Sequence, residues 1–409
     1  MRTRHPIHGA PAAETLGQSG SQSAPIVQTI TDPPTRPPMG RRKLLGGLVA
    51  AAVALSAGEA QAQIRTVLVS PVPGNFLASG TALRNALATI PAPTSSDRWL
   101  VKLEPGIYDV GSIPLPMRSW VDIEGSGMGV TTIRGSADGS SLNAATLHGA
   151  SSSELRLLTV EATNPIAAIA MYNPGESPRL YRVRFSALSR IAWGLRSAAA
   201  APRIEECELS ATSTGGTNSF AYGVDFSAFS GLPAGRSSLL RSKITANGAQ
   251  NNYGVWMDGG LILTEIRDSR IDSGGGSSSY GLYASNTGGW FGTEGLSIRN
   301  TEINSAGASS ASYGIRSEPG ATFSLTVIDS QVWGHVAPQT YGIVHAGGPA
   351  VGIQGSSLVG FTKVAETSGN MLITSTSMVG GPTSATGWLG CVGVWDESAV
   401  FYPGNACPP

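Results

Sequence analysis

Charge is scarce in this 409-residue chain: Asp, Glu, Lys and Arg together make up 13%, about half the roughly 25% of an ordinary soluble domain. The 27 basic residues equal the 27 acidic ones. No basic excess is available to follow a phosphate backbone, so the composition argues against a nucleic-acid partner. Cysteine is nearly absent. Cys207, Cys391 and Cys407 are too few and too scattered for a CxxC-type zinc site, and no metal or cofactor is read from the chain. The Ala/Glu/Lys/Leu/Arg abundance of a coiled coil is missing too. What is plentiful is glycine, 53 residues, alongside 41% hydrophobic residues. That is too apolar for a wholly disordered chain and points to stacked strands with many turns.

Residues 1–38 are rich in Pro, Ser, Thr and Gly without periodicity and read as a disordered leader, with Met39 an alternative start. Arg41-Arg42-Lys43, the apolar run Leu44–Ala57 and Ala60-Gln61-Ala62 have the three parts of an export signal. The apolar run falls short of the ~20 residues that span a bilayer. The paired arginines fit a twin-arginine or an ordinary secretory signal. Either places the mature chain, from about Gln63, outside the cytoplasm: periplasmic, secreted or on the cell surface.

After residue 118 the chain repeats itself. Trp193-Gly194-Leu195, Tyr222-Gly223-Val224, Tyr253-Gly254-Val255, Tyr280-Gly281-Leu282, Tyr313-Gly314-Ile315 and Tyr341-Gly342-Ile343 follow at intervals of 29, 31, 27, 33 and 28 residues. A second phrase, aliphatic-x-x-small-x-aliphatic, accompanies each: Ile204/Cys207/Leu209, Leu239/Ser242/Ile244, Ile266/Ser269/Ile271, Ile298/Thr301/Ile303, Val327/Ser330/Val332 and Ile353/Ser356/Leu358. The last two members of each phrase share a strand face, whereas the step of three before them requires a corner. Glu206, Arg241, Asp268, Asn300, Asp329 and Gly355 occupy that corner, and several of these are residue types that tolerate a left-handed backbone. Each repeat is therefore a coil of short strands, and about ten coils stacked at ~4.8 Å bury a continuous core. The units lack the long amphipathic helices of an α-solenoid and are too short for propeller blades.

The ends differ. Ser79–Leu87 has the spacing of one short helix with an N-cap candidate, suited to covering the first coil. Leu100–Asp109 reads as strand, turn, strand. The expected organisation is 63–118 as N-terminal cap and first coils, 119–380 as β-helix and 381–409 as C-terminal cap.

Leu103-Glu104-Pro105-Gly106-Ile107-Tyr108, Val121-Asp122-Ile123-Glu124-Gly125-Ser126-Gly127 and the repeats resemble the pectin-lyase-like superfamily of right-handed parallel β-helices. The resemblance covers roughly 97–380. It implies an all-β solenoid, but no single activity, because that fold hosts enzymes, tailspikes and adhesins. The catalytic patterns depart from those of its enzymes. Val110 stands where a pectin methylesterase has Glu, Gly334-His335-Val336 lacks the acidic partners of a polygalacturonase, and no aspartate cluster suits a calcium-dependent pectate lyase.

With the aliphatic of each Tyr-Gly-aliphatic unit inward, the next residue faces out. The outward column runs Arg196, Asp225, Trp256, Tyr283, Arg316 and Val344. Aromatic residues flanked by arginine suit a sugar chain, the rings stacking on apolar sugar faces and the arginines pairing with uronate carboxylates. Asp225 and Asp258 sit on adjacent coils and suit acid/base hydrolysis. The tyrosines share the parity of the aliphatics and read as a structural stack. His345 falls on the inward parity, His148 and His335 lie on other coils without ligand spacing, and Cys207 reads as packing. Cys391 and Cys407 suit a disulfide in an oxidising compartment. The expectation is a non-catalytic, exported β-helix that binds polysaccharide or another surface partner along this column. The alternative is a lyase or hydrolase acting on acidic polysaccharide.

Overall fold

The structure is a computed structural model, and it describes residues 28–30, 63–141, 143–227, 236–258, 263–285, 295–319, 323–347, 349–404 and 407–409. The export segment and most of the leader lie outside the described residues. The rest winds into a parallel β-helix, its crossovers taking the right-handed sense that strand twist imposes. One face, here called the front sheet, holds eleven strands among the described residues, from Leu115–Pro116 through Ile191–Ala198 to Thr383–Ala385. The other two faces bear strands such as Leu296–Arg299 and Glu302–Ala306, one on either side of a corner. The long strands Glu154–Thr163 and Arg179–Ser189 run through that corner and join both faces.

All six expected corner residues have a left-handed backbone, from Asn300 at φ 45° to Gly355 at φ 60°. The small residue after each corner has a chemical task as well as a steric one. The hydroxyls of Ser242, Ser269, Thr301, Ser330 and Ser356 each donate to the carbonyl two residues back at 2.7–2.8 Å, closing the turn. Several also accept the amide of their counterpart one coil earlier: Ser242 Oγ from Cys207, Ser269 Oγ from Ser242 and Ser330 Oγ from Thr301. Buried backbone groups at a bend are thus satisfied inside the wall. Cys207 stands in the same column and is 1% exposed. Burial pushes its thiol up to about 12, outweighing nearby backbone hydrogen bonds, so it is a packing residue and not a nucleophile.

Inside, like stacks on like. Ile204, Leu239, Ile266, Ile298, Val327 and Ile353 form one buried column. Each such side chain contributes on the order of 2 kcal/mol by leaving water.

The glycine of the Tyr-Gly-aliphatic unit is required by close approach. A Cβ on Gly254 would lie 2.6 Å from the Gly281 carbonyl oxygen and 2.3 Å from Ile271 Cγ2 on the facing wall, and Gly223 and Gly281 are similarly confined. This glycine also breaks the alternation of the strand. Ala221 before the tyrosine and Val224 after the glycine both enter the core, while Tyr222 does not. The tyrosines therefore lie on the outer face, contrary to the parity expectation. A strict period of two fails where a side-chain-free residue lets the backbone press inward.

At the N-terminal end the helix is Phe76–Thr89, three residues longer at its start than the sequence pattern indicated. Asn75, not Ser79, is its N-cap, accepting the Ala78 amide at 3.0 Å. Ser79 is buried and its hydroxyl donates to the Asn75 carbonyl. Leu83, Ala86 and Leu87 cover the first coil. Outside this, Gln28–Ile30 pairs antiparallel with the edge of Gln63–Val69. At the other end parallel stacking continues past residue 380, through Leu389–Val392 to Trp395, before the short antiparallel pair Val394–Trp395 and Phe401–Tyr402 closes the ladder. A disulfide joins Cys391 and Cys407. No helix among the described residues is long and apolar enough to cross a membrane.

Candidate functional site on the front sheet

Parallel register brings the five candidate residues into one line. Arg196 pairs with Asp225, Asp225 with Trp256, Trp256 with Tyr283 and Tyr283 with Arg316. Tyr172 and His148 extend the column toward the N-terminal end, and Val344 and Glu366 extend it the other way.

The tyrosine column runs beside it on the same face. Trp193, Tyr222, Tyr253, Tyr280, Tyr313 and Tyr341 stack with ring centroids 4.7–5.3 Å apart and planes within 10°. Their faces are largely occupied by one another, so this is a wall and not a row of open platforms. Trp256 and Tyr283 are turned across it, at 86° to Tyr253 and 70° to Tyr280. They lie 4.6 Å apart and nearly parallel to each other. Both are half-buried.

The charged members are already engaged. Arg196 Nε lies 3.3 Å from Asp225 Oδ2, with 18% and 7% of the side chains exposed. Arg316 Nε lies 2.9 Å from Glu318 Oε1, and the Arg316 guanidinium sits 4.7 Å above the Tyr313 ring. The Tyr283 hydroxyl donates to the same Glu318 oxygen at 3.0 Å. The arginines were expected to await uronate carboxylates; instead each holds a carboxylate of its own chain. Sequence parity missed Glu318, although it stands two residues beyond Arg316 as Asp258 stands beyond Trp256.

Asp225 and Asp258 lie on adjacent strands of this face, with Ser227 in register with Asp258. Ser227 Oγ donates to Asp225 Oδ1 and Ser285 Oγ to Asp258 Oδ1, each at 2.6 Å. Burial raises the Asp225 pKa above the ordinary value. The Arg196 charge and the Ser227 hydrogen bond oppose this, while the Asp258 charge adds to it. His345 is 3% exposed and exchanges a 2.7 Å hydrogen bond with Ser317 through Nδ1, the inward placement that parity indicated. Among the described residues no group of three or more His, Cys, Asp or Glu is arranged to hold a metal ion.

A groove of about 540 Å³ lies elsewhere, over the corner, lined by residues that include Glu206, Arg241, Lys243, Asp268 and Glu302. Much of its charge is matched along the wall, as in Arg182–Glu206 at 2.6 Å and Arg184–Glu208 at 2.7 Å. It has no aromatic lining. The front sheet therefore remains the stronger candidate.

No family model matches the chain, and no curated protein does. Among solved structures it is similar to the A-module of a mannuronan C-5 epimerase of Azotobacter vinelandii, at 15% identity, with 81% of this chain and 95% of that chain covered and a TM-score of 0.49. It is similar to a pectin methylesterase in complex with a hexasaccharide at 11% identity, covering 64% of this chain and 75% of that one, TM-score 0.37. A Dettilon tailspike protein is 10% identical, with 78% and 68% covered and a TM-score of 0.41. These likenesses concern the course of the chain and assign no activity to it.

Proposed function

We propose that the chain is an exported β-helix that binds a glycan laid lengthwise across the coils of the front sheet. The observation that carries this is the Trp256–Tyr283 pair, turned across a ladder of stacked tyrosines and flanked by Arg196 and Arg316 on one line. A coil step of ~4.8 Å is close to the length of one pyranose unit, so successive residues of a polymer meet successive coils. Half-buried aromatic rings backed by a rigid wall offer binding area at little cost in conformational entropy. Replacing Trp256 by Ala is expected to weaken retention in glycan affinity electrophoresis at least tenfold, the loss of about 1.4 kcal/mol. Unchanged mobility against every glycan tested removes the proposal. Export is supported by the disulfide, which suits an oxidising compartment, and by the three-part signal before Gln63.

A second reading has one observation in its favour. Asp225 is a buried carboxyl with a raised pKa, coupled to Asp258 on the next coil, the kind of pairing that divides acid and base roles in glycan cleavage. Turnover by the wild-type chain that produces new reducing ends or unsaturated uronate absorbance, and that Asp225→Asn abolishes, replaces binding with catalysis.

A further inference from the structure

We infer that the front-sheet site takes a neutral glycan and excludes polyuronates, an inference that rests on the glycan-binding reading and deepens it. The argument is one of charge already spent. Along the described part of the strip the guanidiniums of Arg196 and Arg316 each sit against a carboxylate of the chain, Asp225 and Glu318. The next charged pair along the column, Lys363 and Glu366 at 2.6 Å, adds nothing net. The Arg196–Asp225 pair is the more deeply buried, so water screens it little and it stays paired.

At the other end Glu318 is held twice, by Arg316 Nε and by the Tyr283 hydroxyl. A uronate carboxylate reaching Arg316 would settle beside the Glu318 carboxylate. It would have to displace that partner or lie against a like charge in a half-buried site, where water screens poorly. A ring system that stacks and hydrogen-bonds through hydroxyls meets none of these penalties. Sugar hydroxyls both donate and accept, so they suit paired charges whose remaining hydrogen-bonding capacity is still open.

The test compares polymers on the full chain at low ionic strength. A neutral xylan, a mixed-linkage glucan and a galactomannan are set against alginate and polygalacturonate in affinity electrophoresis and calorimetry. At least one neutral polymer is expected to bind with little dependence on salt, while the uronates fail at 20 mM salt and do not gain as salt is lowered. The variant Glu318→Gln is expected to raise uronate affinity about tenfold or more at low salt. Uronate binding by the wild-type chain that strengthens as salt falls overturns this inference and leaves the glycan-binding reading standing. Absence of binding to every polymer of both classes overturns the reading beneath it. The salt series on the wild type decides the matter even if the variant does not fold.

Discussion

Asp225 shows how one residue acquires chemistry from its surroundings. Its carboxyl is nearly shut off from water and its pKa is raised above the 3.8 of a free aspartate. Between that free value and the raised one, the folded chain holds more protons than the unfolded chain. Stability contributed by this group therefore rises as pH falls through the window and is lost as pH rises. Glu205 works the other way. Burial would raise its pKa, but hydrogen bonds and charges from Arg179, Arg203 and Arg241 outweigh burial and lower it. Acid is thus expected to cost stability at Glu205 and return some at Asp225. In urea titrations carried down in pH to the 3.8 of a free aspartate, the stability of wild type relative to Asp225→Asn is expected to increase. A difference that is flat or shrinks over that range contradicts the buried-acid assignment.

Among the elements, the glycine column of the front sheet decides the outer face. Its need for glycine comes from the next coil of the same sheet and from the facing wall, and not from a left-handed backbone, since none of Gly223, Gly254 and Gly281 has a positive φ. Gly254→Ala is expected to cost about 3 kcal/mol, because the contact at 2.6 Å is with backbone, which yields poorly. Gly352→Ala is the internal control: nothing lies within 4 Å of its added Cβ, so it is expected to be neutral or slightly stabilising. Equal destabilisation of the two in chemical denaturation would show that the glycines matter only as strand residues. The N-terminal edge carries a further expectation. If export processing cuts behind Ala62, mass spectrometry of secreted material should find Gln63 first, and the Gln28–Ile30 strand would leave with the leader.

Across the whole molecule, stability is a sum of coils and the contacts between neighbours, so the ends set how unfolding begins. The Cys391–Cys407 disulfide ties the last stacked strands to the C-terminal segment with a sequence separation of 16. Its removal by Cys391→Ser is expected to cost about 3 kcal/mol in the chain-entropy model. That loss should appear locally. Amide exchange is expected to quicken first in 389–395, while the coils around 239–303 keep their protection. Uniform loss along the chain would mean that the cap does not act as an end clamp.

The order of strands, the corners, the column of hydroxyl-bearing residues and the line Arg196–Asp225–Trp256–Tyr283–Arg316 were all legible in the sequence. Each follows from a local rule, a period of two or a residue type at a bend, repeated at a constant interval that stacking turns into a column. The disulfide was legible for a similar reason, two cysteines isolated near one end of a chain whose N-terminal segment reads as an export signal. Other features depend on groups distant in sequence, and only the tertiary structure decided them. The tyrosines face outward because a wall from the other side of the coil presses against their glycines. The arginines are unavailable because Asp225, 29 residues past Arg196, and Glu318, beside Arg316 on the outer face, come within ion-pair distance. Periodicity specifies which residues share a face, but not how closely two faces approach or which charges are already matched when they meet.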